Sequence, residues 1–377
     1  MLGVKYFPLG IATGKSFCNR LKEKEQLINN FTTGQHTIAI SPRRYGKSSL
    51  ILKALKDADM IYEKIDLFVA IDAKVVEQKI IAGVKKLITK ITTGPTQAIN
   101  LLKNYFKKLK TKWIIGTDGV SVELTPDKEV DSATNIFEAL QALEKLLIKK
   151  KKKAVFFIDE FQEIGLLDTA KTIEGAVRAI AQESKNLIFV FSGSNRHILS
   201  EMVDDRSRPL YMLCDRINLG RIAKEHYIKY INKVALLTWN KELNHVVLGH
   251  ILSITECHPY YVNALCRKVW MKCLNKPPTL VDVTKAWGEY ILQEESRVAR
   301  ELTTLSETQK KLLVLIADGR IYSVVPRSAL HKMNISRQAV IKALTILCQK
   351  DYLYKGTSGK YLIIDPLLKA SLQFFYL

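Results

Sequence analysis

Paired cysteines are absent from this sequence. Its six cysteines include no C-x-x-C pair, and the looser group Cys257, His258, Cys266 and Cys273 lacks the spacing of a zinc site. They read as reduced, mostly buried thiols of a cytoplasmic protein. No run approaches 18 apolar residues, which excludes a membrane-spanning helix. The opening "MLGVKYFPLGIATGKSF" has no long apolar core, so no secretory leader is expected. Acidic residues are scarce relative to basic ones: Asp+Glu is 37 against Lys+Arg at 58, a formal charge of +21. Such a charge favours polyanions, whether nucleic acid, an acidic surface or an acidic protein. The 377 residues allow two or three domains, and 47% hydrophobic with 25% charged residues is an ordinary globular composition.

A glycine is also missing where a familiar pattern wants one. "SPRRYGKSSL" (41–50) ends like a phosphate-binding loop, G-x-x-x-x-G-K-[ST], but Ser41 stands at the first glycine. The context fits the loop nonetheless. "HTIAIS" (36–41) reads as a strand, and "KSSLILKALKDA" (47–58) has its apolar residues at helical spacing. Phosphates in such loops are held mainly by backbone N–H groups near the second glycine and the helix start. Here those belong to Tyr45, Gly46, Lys47, Ser48 and Ser49, none of them proline. Lys47 is placed to reach the β- and γ-phosphates and Ser48 to ligate Mg2+. Arg43 and Arg44 add charge at the rim. ATP is the expected nucleotide, since no guanine-reading N/T-K-x-D motif occurs.

A magnesium nucleotide needs a partner carboxylate. "AVFFIDEFQEI" (154–164) offers a strand that is apolar without alternation, as in a buried parallel sheet, ending in Asp159 and Glu160. Open parallel sheets bind ligands at that carboxyl edge. Asp159 is expected to hold Mg2+ with Ser48, and Glu160 to polarise the attacking water. A third strand, "NLIFVFSGSNRHIL" (186–199), carries Ser192 and Ser194 at its tip. Either is a candidate sensor of the γ-phosphate, Ser194 being the catalytic assignment; the competing role for Ser194 is to cap the following helix. In "DDRSRPLY", Arg206 and Arg208 are candidate arginine fingers for a neighbouring site, or partners of Asp204 and Asp205.

These motifs resemble the archaeal-type ATPase family, in the STAND branch of P-loop NTPases close to AAA+ proteins of the origin-recognition type. The resemblance spans nearly the whole chain. "FCNRLKEKEQLINNF" (17–31) is similar to the family's entry motif, "PRRYGKSSL" to its phosphate loop, "FFIDEFQEI" to its Walker B strand, and "FSGSNRHIL" to its sensor region. "CHPYYVNALCRKVW" (257–270) resembles a lid motif whose proline contacts nucleotide, which points to Pro259. Glu256 and Cys257 depart from it, standing where a glycine is common.

The expected fold is α/β: a P-loop NTPase parallel-sheet core over 1–222, a helical lid over 223–303, and a winged helix over 304–377. "KWIIGTDGVSVELTP" (112–126), with Asp118-Gly119, reads as a hairpin inside an insertion over about 95–130. "ATNIFEALQALEKLLIKK" (133–150) is an amphipathic helix with Ile136, Leu140, Leu143 and Leu147 on one face. "KKKKK" (149–153) leads into the Asp159 strand at its end away from the nucleotide. Residues from about 305 hold eleven Lys/Arg against four Asp/Glu, in a pattern of three helices and a hairpin. Arg337, Gln338 and Lys342 on the third helix, with Lys355 and Lys360 beside the wing, are candidate contacts to double-stranded DNA. A protein partner or self-association is the other use of such a domain. The expected function is an ATP-hydrolysing regulatory switch. The alternatives are a DNA-acting ATPase of the replication or transposition kind and a nucleotide-dependent interaction module with little turnover.

Overall fold

The computed structural model describes residues 3–92, 110–116, 119–125, 130–319, 336–356 and 359–377. Its contacts divide the chain into two compact units. One is Arg20–Arg43 with Lys47–Leu219; the other is Met1–Asn19 with Arg44–Gly46 and Gly220–Leu377.

The strands of the first unit are β1 (Thr37–Ile40), β2 (Ile61–Asp66), β3 (Lys110–Gly116), β4 (Gly119–Thr125), β5 (Ala154–Asp159), β6 (Leu187–Gly193) and β7 (Asp215–Asn218). Its helices are α1 (Leu21–Thr33), α2 (Lys47–Asp57), α3 (Ala73–Ile91), α4 (Ser132–Lys150), the single turn α5 (Gln162–Gly165), α6 (Ala170–Glu183) and α7 (Arg196–Asp204). Five strands form one parallel sheet in the order β2-β5-β6-β1-β7. β1, β5 and β6 are buried along their whole length, which explains their runs of Val, Ile and Phe. β6 separates β1 from β5, so its tip stands between the loop leaving β1 and the end of β5.

β3 and β4 pair antiparallel in a separate two-stranded sheet, with Gly116 opposite Gly119. The expected turn residue Asp118 lies outside the described residues. β7 was not anticipated, because "DRIN" is short and polar. Pairing with β1 recruits it, and Asp215 Oδ2 accepts from Gln26 Nε2 and Asn30 Nδ2, each at 2.8 Å.

Asp72 and Asp131 cap α3 and α4 by accepting from Val75 N and Thr134 N. The expected α4 face, Ile136, Leu140, Leu143 and Leu147, is fully buried in the core shared with α3 and the sheet. The lysine run begins in the last turn of α4, where cations complement the helix dipole, and Lys151 ends the helix at φ 51°.

In the second unit, α8 (Lys224–Trp239), α9 (His245–Ile254), α10 (Pro259–Lys272) and α11 (Leu280–Thr303) surround Tyr227, Val262, Leu265 and Trp270. The amino-terminal segment, assigned by sequence to the core domain, packs here. Phe7 is fully buried with its ring 4.9 Å from that of Trp270. The chain then runs through α12 (Glu307–Ala317), α13 (Arg337–Gln349), β8 (Leu353–Lys355), β9 (Tyr361–Ile363) and α14 (Pro366–Tyr376). Ser336 caps α13 as expected, accepting from Ala339 N at 3.2 Å. The expected middle helix of the winged helix, near 327–334, lies outside the described residues. α14 is an addition to the expected pattern, with Asp365 as cap and Pro366 in the first turn. Among the described residues no helix is long and apolar enough to cross a membrane.

A Cβ on Gly83 would lie 2.6 Å from both Ile65 Cγ2 and Phe156 Cε2, so α3 approaches the sheet more closely than a side chain allows. Gly175, within α6, has no atom within 4 Å of such a Cβ. Gly83→Ala is therefore expected to destabilise by about 1–3 kcal/mol through overpacking. Gly175→Ala is expected to stabilise by about 0.5–1 kcal/mol through helix propensity. Urea denaturation of the two variants checks the opposite signs.

Candidate functional site

The carboxyl edge of the central sheet is organised around Asp159, the last residue of β5 and almost fully buried. Its Oδ2 accepts from Ser48 Oγ at 2.8 Å and lies 2.7 Å from Lys64 Nζ. Its Oδ1 accepts from Ser192 Oγ and, at 3.2 Å, from the Glu160 N–H. Burial pushes the Asp159 pKa up, but Lys64, Ser192 and Ser48 outweigh burial and hold it below the usual carboxylate value.

Glu160 follows in the left-handed region at φ 52°, a strained conformation for a side-chain-bearing residue. Its Oε2 accepts from Gln162 Nε2 at 2.6 Å and from Ser194 Oγ at 2.8 Å. The cap of α7 is Asn195, which accepts from Ile198 N, so the capping role weighed for Ser194 belongs to its neighbour. The two serines at the β6 tip thus divide the acids between them, Ser192 on Asp159 and Ser194 on Glu160.

Lys47 opens α2 and is buried; its Nζ donates to Ser41 O at 3.1 Å, Ser41 Oγ at 3.3 Å and Pro42 O at 3.3 Å. Ser41, at the place of the missing glycine, therefore supplies two acceptors to the loop lysine. Gly46 has φ 90° and open space around its α-carbon, so backbone conformation rather than room requires glycine there. Ser49 is buried, while Arg43 and Arg44 are exposed at the loop.

This donor set fits a magnesium nucleotide. A hydroxyl and a carboxylate, both hard oxygen ligands, meet at Ser48 and Asp159 beside a helix start and a lysine. Among the described residues no group of three His, Cys, Asp or Glu could hold a metal alone. Mg2+ keeps waters and phosphate oxygens among its ligands, so one hydroxyl and one carboxylate suffice as its protein donors.

No protein-family model matches the chain, and no curated protein does. Solved structures do. The Walker-type ATPase PABY2304 of Pyrococcus abyssi is 15% identical with a TM-score of 0.70, covering 98% of this chain and 99% of its own. The Aeropyrum pernix ORC2 protein, in ADPNP–ADP complexes, is 14% identical with a TM-score of 0.58, covering 98% and 96%. The fold is that of a Walker-type ATPase. The five-stranded parallel sheet, with β6 between β1 and β5, is the P-loop NTPase core of that fold.

In the second unit, the P-loop residues Arg44 and Tyr45 join an aromatic group. Tyr45 meets the His258 ring edge-on at 4.6 Å, and the Arg44 guanidinium lies 4.1 Å over the Tyr260 ring. His258 caps α10 by accepting from Tyr260 N at Nδ1, and Pro259 takes the first helical position. Glu256 and Cys257, where a glycine was anticipated, adopt φ 47° and 55°. Arg221 pairs with Glu256 Oε2 and donates to Ile364 O at 3.1 Å, and Lys369 lies 2.7 Å from Glu256 Oε1.

Arg208 is held by Glu174 on α6, inside the first unit, rather than by the aspartates beside it in sequence. Burial pushes the Glu174 carboxyl up to about 7 against the pull of Arg208. Arg206 is exposed. So are Arg337, Gln338, Lys342, Lys355 and Lys360, the candidate DNA contacts.

Sequence reasoning missed Lys64, Gln162 and Arg221, and noted Glu256 only as a departure from the lid motif. Gln162, two residues beyond Glu160, was within reach of a motif reading; the other three depend on strand order and chain folding.

Burial and the neighbouring Arg221 push the His258 pKa down from 6.5 to about 3. A lowered histidine pKa gives stability that is complete above pH 6.5 and is lost as pH falls toward 3. Asn is an equally good helix cap and does not titrate. Below pH 6.5 the wild type is expected to lose about 1.4 kcal/mol per pH unit more than His258→Asn. Denaturation at pH 7 and pH 5 measures the difference.

Proposed function

We propose that this chain binds ATP with Mg2+ and hydrolyses it slowly, as a regulatory switch whose lid and winged helix respond to the nucleotide. The observation that carries the reading is the pair of serine-held acids, Ser48–Asp159–Ser192 and Ser194–Glu160, at one sheet edge. Lys47 would neutralise β- and γ-phosphate charge, with the backbone of Tyr45 to Ser49 cradling the phosphates. Ser48 and Asp159 would hold Mg2+, which supplies charge neutralisation during phosphoryl transfer. Glu160 would orient and polarise the attacking water, and Ser194 holds Glu160 for that task. Arg44, Tyr45 and Pro259 stay the candidate ATP contacts of the second unit.

Arg206 is the remaining arginine-finger candidate, acting on a second copy. Arg208, committed to a buried carboxylate, has a structural role in this reading. The exposed basic residues of the winged helix, Arg337, Lys342, Lys355 and Lys360, support double-stranded DNA as a polyanionic partner, and the net charge of +21 points the same way. A DNA-acting ATPase is the second reading, favoured by those same residues.

Lys47→Ala is expected to abolish ATP binding, whereas Glu160→Gln keeps binding and loses at least about 100-fold in turnover. Equal turnover in Glu160→Gln and wild type would sink the catalytic assignment. ATP turnover with and without double-stranded DNA, at low and moderate salt, separates the two readings. Stimulation that fades with salt supports the DNA-acting ATPase, and slow turnover indifferent to DNA supports the switch. Arg208→Met is expected to cost about 3 kcal/mol of stability by stranding Glu174. Arg206→Ala is expected to leave stability unchanged within about 0.5 kcal/mol and to lower turnover only where the chain self-associates. Denaturation and concentration-dependent turnover measure both.

A further inference from the structure

Lys64 has no place in the loop or strand motifs, yet its ammonium touches the central carboxylate. In the parallel pair β2–β5, Lys64 stands opposite Phe157 and Asp66 opposite Asp159. Alternation along a strand puts Lys64, Asp66, Phe157 and Asp159 on the same face. The lysine stem runs past Phe157, with Nζ 5.4 Å from the ring centre, and ends 2.7 Å from Asp159 Oδ2. That oxygen is the one to which Ser48 Oγ donates. The ammonium therefore contacts the very oxygen that meets the other proposed magnesium ligand. Asp159 is 6% exposed at its side chain and Lys64 25%, so the amine has a path to water that the carboxylate lacks.

Resting on the nucleotide reading above, we propose that Lys64 is a resident cation of the magnesium site. It neutralises the buried Asp159 until Mg2+ arrives with nucleotide, and it then turns out toward solvent. Two cations sharing one buried carboxylate repel each other, so Lys64 sets how much free Mg2+ the site needs.

The test uses the full chain as wild type, Lys64→Met and Lys64→Arg, with a fluorescent ADP analogue titrated across free Mg2+ concentrations. In Lys64→Met the Mg2+ midpoint for tightening ADP binding is expected to fall about tenfold, while Lys64→Arg stays within about twofold of wild type. Lys64→Met is expected to melt below wild type in EDTA, because Asp159 is left without its cation, and to regain the difference in Mg2+ and ADP. Should Lys64→Met not fold, amine labelling of wild type read by mass spectrometry decides. Labelling at Lys64 is expected to rise in Mg2+ and ADP relative to ADP in EDTA. An unmoved midpoint, a melting deficit that persists in Mg2+ and ADP, or unchanged labelling would each overturn the proposal and leave the nucleotide reading standing. Failure of wild type to bind ADP in either condition would overturn both.

Discussion

A carboxylate buried on every side cannot stay charged without partners, and Asp159 meets that constraint with four donors. They come from β2, from the start of α2, from β6 and from its own following peptide. One acid thus fixes the positions of three separate segments at the sheet edge. The proposed chemistry depends on this arrangement, because Ser48 and Ser192 are oriented by Asp159. Glu160, next in the chain, is turned away into the left-handed region and meets Ser194 and Gln162. Two adjacent acids therefore have two different environments, as a metal ligand and a water-polarising base require.

The second unit shows the same economy with a different chemistry. Tyr45, His258 and Tyr261 pack edge-on and tilted without charge, and burial keeps His258 neutral so that its Nδ1 can cap α10. Beside them Arg221, Glu256 and Lys369 join the segment before α8, the strained turn before α10 and the C-terminal helix α14. Burial pushes Glu256 up, but Lys369 and Arg221 together hold it below its ordinary value. Arg221 interacts with Tyr45, so a displaced loop tyrosine would be felt by Arg221 and, through Glu256, by Lys369 of the C-terminal helix. That is a contiguous network within one unit.

The excess of basic residues is not spread evenly in role. Lys64, Lys47, Lys152 and Arg208 are spent on buried or half-buried contacts, whereas Lys151 and Lys153 after α4 and the basic residues Arg337, Lys342, Lys355 and Lys360 are exposed. Only the exposed set is available to a polyanion. Its strength would be salt-dependent, while the buried set is shielded from salt.

The order strand, GKS loop, helix, and the apolar run ending in Asp159 and Glu160, were legible because local periodicity and a short motif carry them. So were the amphipathic face of α4, the Ser336 cap and the hairpin outside the central sheet. Sequence alone could not choose between Ser192 and Ser194, because both sit at the same strand tip; tertiary structure gave each its own acid. It could not find Lys64, because which strand lies beside β5 is decided by packing and not by any residue in β2. It assigned the first residues to the ATPase core by their place in the chain, whereas Phe7 belongs with Trp270 because an aromatic ring goes where it is best buried. β7 was invisible for the same reason: three polar residues around Ile217 become a strand only when β1 offers its edge. Local pattern determined the parts and the motif chemistry. Strand order, burial and charge neutralisation decided which side chains meet.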